Sequence, residues 1–245
     1  MWFDIKNQTP NSQLGSVTDF ILQLCDMLKV NLKSTVPYFW TKQVMKRFSQ
    51  SDVELLKQQT VFQGFFKVIK YTFKHKLFAG GWSDPIEREV FERGDAVVVL
   101  PYDPVTDQVV LIEQIRFPAL RTSESPWLFE LVAGMIDKNR NAHEVAKAEL
   151  MEEAGLDAKN ITQIQSILAS PGGTSERFYF YWAEVDATEA KGIYGLEQEH
   201  EDIKVHVMAR ERAFEMLEQG QIDNASTVIG LQWLQLNYHK IKPVI

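Results

Sequence analysis

Residues Gly134–Leu156 read GMIDKNRNAHEVAKAELMEEAGL. Asn141 followed three residues later by Glu144 has the spacing of a capping box, in which each side chain takes the other residue's orphan amide. Gly155 is placed to end a helix in the left-handed conformation. The stretch therefore predicts a helix over 142–154. Within it Glu149, Glu152 and Glu153 fall at i, i+3 and i+4, on one stripe. At about 100° per residue they share a side with Ala142, Val145 and Ala146, whereas Glu144, Lys147 and Met151 fall opposite. A Glu-rich helix is ordinarily a solvated acidic face, but a carboxylate stripe on the apolar side points into the body of the protein or a cleft. Like charges so spaced repel, at a cost of a few tenths of a kcal/mol per pair. A hard divalent cation held by oxygen ligands, Mg²⁺ or Mn²⁺, would offset that cost.

Outward from this helix, the chain alternates strand and helix signals. Ala96–Leu100 and Val109–Ile115 are rich in Val and Ile and flank the turn-like Pro101, Asp103, Pro104 and Asp107, which predicts a hairpin. Further strands are expected at Trp127–Ala133, Ile161–Leu168, Arg177–Val185 and Ile203–Met208. Helices are expected at Glu211–Glu218 and Ala225–Tyr238. The whole is an α/β arrangement with a mixed sheet. Upstream, Ile69, Tyr71, Phe73 and Leu77 alternate with Lys70, Thr72, Lys74 and Lys76, the period of a half-buried strand. Gly80, Gly81 and Pro85 mark a turn into a second strand, Glu87–Arg93. A small antiparallel subdomain of two or three strands is expected there, packed on the rest of the chain or on a second subunit. From Asp19, the residues Phe20, Ile21, Leu24, Cys25 and Leu28 recur at helical spacing after a polar lead-in. The expected organisation is thus an N-terminal extension (1–50, partly helical), a small β subdomain (51–94) and a main domain (95–245).

Composition narrows the function. Of 245 residues, 45% are hydrophobic and 24% charged, a globular balance that excludes disorder of the whole. A formal charge of −7 argues against nucleic acid as a partner, while a few placed Arg residues and metal ions can still neutralise a small phosphorylated substrate. Cys25 is the single cysteine, so no intrachain disulfide or Cys-based zinc site can form, and a reducing, cytoplasmic setting is expected. The apolar stretch Phe20–Leu32 is interrupted by Gln23, Asp26, Lys29 and Asn31, which reads as neither signal peptide nor membrane span.

The segment Gly134–Leu156 resembles the Nudix box, G-x5-E-x7-R-E-U-x-E-E-x-G-U, where U is a bulky apolar residue. Gly134, Glu149, Leu150, Glu152, Glu153, Gly155 and Leu156 match; Arg140 stands where the family has Glu, and Ala148 where it has Arg. The resemblance extends from about Gly64 to Leu236, through REVFERG from Arg88, LIEQIR from Leu111, PWLFELVAGMI from Pro126, ASPGGTSER from Ala169 and EHEDIKVHV from Glu199. It is strongest to bacterial ADP-ribose pyrophosphatases. It implies a Nudix α/β/α sandwich behind the small antiparallel subdomain. It further implies Mg²⁺-dependent hydrolysis of ADP-ribose to AMP and ribose 5-phosphate, with Mn²⁺ as a possible substitute.

By the same resemblance, metal is held by the Ala133 carbonyl, Glu149, Glu153 and Glu201, with Glu152 a secondary candidate. Glu199 is the base, although nothing in the residues prevents Glu199 and Glu201 from exchanging roles. For Glu197, Glu199, Glu201 and Asp202 the plain alternative is an exposed acidic loop. Substrate contacts fall to Phe65 or Phe66, Arg88, Glu89 and Arg93 from the small subdomain, and to Arg116, Met135, Ser170, Pro171, Gly172 and Glu176 from the main one. Purines stack on rings or guanidinium planes, and Arg suits diphosphate oxygens. The plain alternatives are strand core for the phenylalanines, surface pairs of Arg88 or Arg93 with Glu87 or Glu92, and an ordinary turn at 170–173. The family likeness also implies a homodimer whose small subdomain reaches the partner's pocket. Two competing functions are a Nudix hydrolase of another nucleoside diphosphate sugar, and a sensor that binds ADP-ribose without cleaving it, the latter motivated by Arg140 and Ala148.

Overall fold

A computed structural model describes residues 48–137 and 139–241. The chain divides into two compact units, Met1–Ser51 and Asp52–Ile245. Both sheets and all three α-helices among the described residues belong to the second. The helix expected from Asp19 and the polar lead-in lie outside the described residues.

The small sheet has three antiparallel strands in the order β1 (Val53–Gln63), β2 (Lys67–His75) and β3 (Ile86–Glu92). Only the second and third were legible as strands. In β1 the register with β2 shifts at Leu55/Lys57 and again at Thr60/Phe62. Such bulges insert an extra residue and break the two-residue alternation by which a strand is recognised.

The large sheet begins with β4 (Ala96–Asp103) and β5 (Gln108–Ile115), the expected hairpin. Its two arms pair directly only at Tyr102–Val109 and Asp103–Gln108. Beyond those pairs they part, and the next segment fills the gap. β6 (Trp127–Glu130) pairs with β5, and β7 (Val132–Met135) pairs with β4. The single strand expected over 127–133 is therefore two, broken at Leu131. At the break the Leu131 amide donates to the Thr227 hydroxyl at 2.9 Å, in a fully buried position. An amide that leaves a sheet ladder inside a protein needs such a partner.

The sheet is completed by β8 (Asn160–Leu168), β9 (Arg177–Glu184), the short β10 (Ile193–Tyr194) and β11 (Ile203–Ala209). Its path is β10-β11-β5-β4-β9-β8, with β4 and β9 parallel and every other pair antiparallel. Alternation along β4 divides the core. Val97 and Val99 face Val145, Ala146, Leu150 and Ala154 of α1 (Ala142–Ala154). Val98, Leu100 and Tyr102 face Ala213 and Phe214 of α2 (Arg210–Glu218) and Leu231 and Leu234 of α3 (Ala225–Asn237). The result is the expected sandwich with helices on both faces of a mixed sheet. Among the described residues no helix is long and apolar enough to cross a membrane.

Candidate active site

The box helix is built as its sequence dictates. Asn141 accepts from the Glu144 amide and Glu144 from the Asn141 amide, both at 3.0 Å, and Gly155 closes the helix at φ 64°. Val145, Ala146, Leu150, Glu153 and Ala154 are buried, while Glu144, Lys147 and Met151 face solvent. The carboxylate stripe thus lies along the packed side.

Glu153 is only 3% exposed, and its Oε2 accepts from the Ala133 amide of β7 at 3.0 Å. Burial pushes its acid up to about 8 against the pull of that hydrogen bond; the charges of Glu149 and Glu201 raise it further and Arg116 opposes them. Glu149 is pushed up to about 7, first by burial and then by Glu152, Glu201 and Glu199, with Arg140 acting the other way. A Cβ at Gly134 would fall 1.9 Å from Oε1 of Glu149, so this carboxylate lies across the bare backbone of the box glycine. Any larger residue there would force the Glu149 side chain to move.

The acidic turn reaches the same place. The Gly195 amide donates to the main-chain oxygen of Glu152 at 3.4 Å, and the Leu196 amide to Oε2 of Glu201 at 3.0 Å. Glu197–Glu199 form one exposed 3₁₀ turn that ends at His200 with φ 56°. Glu149, Glu152, Glu153, Glu199 and Glu201 therefore share one electrostatic field. Among the described residues no three Asp, Glu, His or Cys side chains already stand close enough to hold an ion. The donor chemistry does fit one: rotatable carboxylates beside a main-chain carbonyl make an all-oxygen set suited to a hard divalent cation.

Arg140, the residue that departs from the box, is clasped by Asp137. Its Nε donates to Oδ2 at 2.7 Å, while Oδ1 accepts from the amides of Asn139 and Arg140 at 2.8 and 3.0 Å. That hydrogen bond holds the guanidinium above its ordinary value, and the charges of Glu149 and Glu152 add to it. The loop thus has a local clasp that the box pattern does not contain.

The expected substrate residues form two groups. Arg116 donates three hydrogen bonds of 2.8–3.1 Å to the buried Glu130, which also accepts from Gln114 at 3.2 Å. The field of Arg116 reaches Glu153 and Glu201, so it belongs to the carboxylate centre. Arg93 packs over the Phe66 ring at 5.3 Å and pairs with the buried Glu176 at 3.2 Å, so its partner is not Glu92. Phe66 meets Phe65 and Phe91 edge-on, with centroids 4.8 and 5.2 Å apart. Phe65 is 88% exposed, and neither phenylalanine is strand core. Ser170, Pro171, Gly172, Met135, Arg88 and Glu89 are exposed. Arg88 donates to its neighbour Glu87's carbonyl at 2.7 Å, and Glu89 has no place in either group. Sequence reading missed Glu130 and Asp137, whose partners are revealed only by folding.

These features agree with known proteins. An ADP-ribose pyrophosphatase of Escherichia coli (strain K12) is 54% identical over 195 residues, covering 80% of this chain and 93% of that protein. One from Haemophilus influenzae is 49% identical over 209 residues, covering 83% and 96%. A GDP-mannose pyrophosphatase of Pectobacterium atrosepticum is 32% identical, covering 74% and 93%. The crystal structure of an ADP compounds hydrolase superposes with a TM-score of 0.58 at 21% identity, over 78% of this chain and 98% of that one, a likeness of fold. The family model of the NUDIX domain matches residues 92–228, and with the box helix in place the chain belongs to the Nudix family and is a Nudix hydrolase.

Proposed function

We propose that this hydrolase cleaves the diphosphate of ADP-ribose to AMP and ribose 5-phosphate. The observation that carries the reading is the meeting of the box carboxylates with the turn 195–201 beside Ala133, in a chain whose relatives include ADP-ribose pyrophosphatases. Mg²⁺, with Mn²⁺ as substitute, would be held by the Ala133 carbonyl, Glu149, Glu153 and Glu201, with Glu152 as a further ligand. When bound, such an ion supplies positive charge to the diphosphate oxygens and to the water that attacks phosphorus. Glu199, at the exposed end of its turn, accepts the proton from that water. Arg116, held by Glu130, faces charge that develops on the phosphates. Phe66 and Arg93 offer a stacking surface and a cation to the nucleoside end, and the 170–176 segment closes that side.

The small sheet, within the subdomain 51–94, serves dimerisation and substrate contact. Val53, Leu55, Leu56, Val61 and Phe62 of β1 are exposed, apolar side chains suited to contact with a second copy. The lone Cys25 supports a cytoplasmic setting.

Purified protein with Mg²⁺ is expected to release AMP and ribose 5-phosphate from ADP-ribose, faster than it turns over GDP-mannose or other nucleoside diphosphate sugars. Preference for GDP-mannose would overturn the substrate assignment, and turnover undiminished by chelator would overturn the metal assignment.

A further inference from the structure

Three consecutive residues at the end of β3 grip one loop of the large domain. Phe91 donates its amide to the Gly173 carbonyl at 2.8 Å, and its carbonyl accepts from the Thr174 hydroxyl at 2.8 Å. Arg93 pairs with Glu176 at 3.2 Å. Between them Glu92 accepts from the Ser175 hydroxyl through Oε2, and from the Tyr71 hydroxyl of β2 at 3.2 Å through Oε1. The loop has its own closure as well: the Ala169 amide donates to the Glu176 carbonyl at 3.0 Å, and the amides of Gly173 and Thr174 donate to the Ser170 carbonyl, both at 3.0 Å.

Among the described residues, Glu92 is the one carboxylate whose side chain bonds both to the small sheet and to this loop. Tyr71 and Ser175 are far apart in sequence, and Glu92 adds a side-chain tie between them to the main-chain bonds of Phe91 and the Arg93–Glu176 pair. Both bonds end on a carboxylate, the stronger class of hydrogen bond. The residues gripped on either side of it, Phe66 through Phe91 and Glu176 through Arg93, are those assigned to the substrate.

We propose that Glu92 is a positioning residue for nucleotide recognition: by tying Tyr71 to Ser175 it sets the 170–176 loop at the distance from Phe66 and Arg93 that a nucleoside diphosphate requires. Glu92 touches neither the reacting phosphorus nor the carboxylate centre. The inference rests on the ADP-ribose reading of the same site for its ligand, but not for the tie itself.

The test uses the full chain carrying Glu92→Ala or Glu92→Gln. Hydrogen exchange of amides 172–177 is measured without ligand, and kcat and KM with ADP-ribose and Mg²⁺. In Glu92→Ala these amides are expected to exchange about tenfold faster, the loss of one charge-assisted hydrogen bond. KM is expected to rise by a similar factor, with kcat within about twofold of the parent. Glu92→Gln keeps one acceptor oxygen and offers the second hydroxyl an N–H donor in place of the other, so it should recover part of both effects. Unchanged exchange in Glu92→Ala would overturn the tie. Faster exchange with unchanged KM would reduce Glu92 to a structural residue and overturn the proposal. If the parent protein neither binds nor cleaves ADP-ribose, the substrate reading fails, and the exchange arm still decides whether Glu92 holds the loop.

Discussion

Glu153 carries a consequence that its position alone dictates. Its acid stands at about 8 in the fold against an ordinary 4.5, so the folded protein binds a proton there that the unfolded chain releases. A raised carboxylate contributes stability that is fully present below about 4.5 and is lost as pH rises through about 8. Metal-free protein should therefore lose thermal stability across that window, and Glu153→Gln, which carries no charge, should flatten the profile; differential scanning calorimetry across the range checks both. If Glu153 holds the metal as proposed, the same variant should lower kcat by roughly two orders of magnitude or more. On the proposed ligand assignment metal displaces protons from Glu149 and Glu153, so Mg²⁺ should raise the Tm more at pH 8 than at pH 6. A Tm gain independent of pH would contradict the assignment of these two as ligands. The box carboxylates were readable from their i, i+3, i+4 spacing. The turn bearing Glu199 and Glu201 was readable only through family likeness, because its approach to the helix depends on amides at Gly195 and Leu196 that carry no sequence signal.

At the scale of elements, local rules served where the structure is local. The α1 boundaries follow from Asn141, Glu144 and Gly155, all within the segment, and Asn141→Ala should cost about 1 kcal/mol in chemical denaturation through loss of the cap. Long-range pairing was not legible. A continuous run from Trp127 gives no notice that its two halves join different partners, since the break at Leu131 is set by the parting of β4 from β5. The first strand was hidden by its bulges, and its apolar residues gave no inward face because they are exposed. Gly134 lies in β7 against α1, and Gly134→Ala would drive a methyl group into Glu149. That variant is expected to lose most activity while keeping its circular dichroism spectrum.

For the molecule as a whole, the exposed apolar residues of β1 make the proposed dimer testable. Sedimentation should give twice the 28.2 kDa chain mass, and Phe62→Asp, at a residue 60% exposed in the chain, should shift it toward the monomer. A parent protein that sediments at the single-chain mass would remove the dimer. The last helix has a reach that its distance from the acidic motif conceals. Thr227 satisfies the buried break between β6 and β7 by accepting the Leu131 amide, two residues from the carbonyl at Ala133. A chain cut short before Ala225 would retain the entire motif by which such enzymes are recognised, yet forfeit one of the two helices on that face of the sheet and the hydroxyl that anchors that carbonyl's strand. Presence of the motif in a truncated homologue is therefore no warrant that the homologue works.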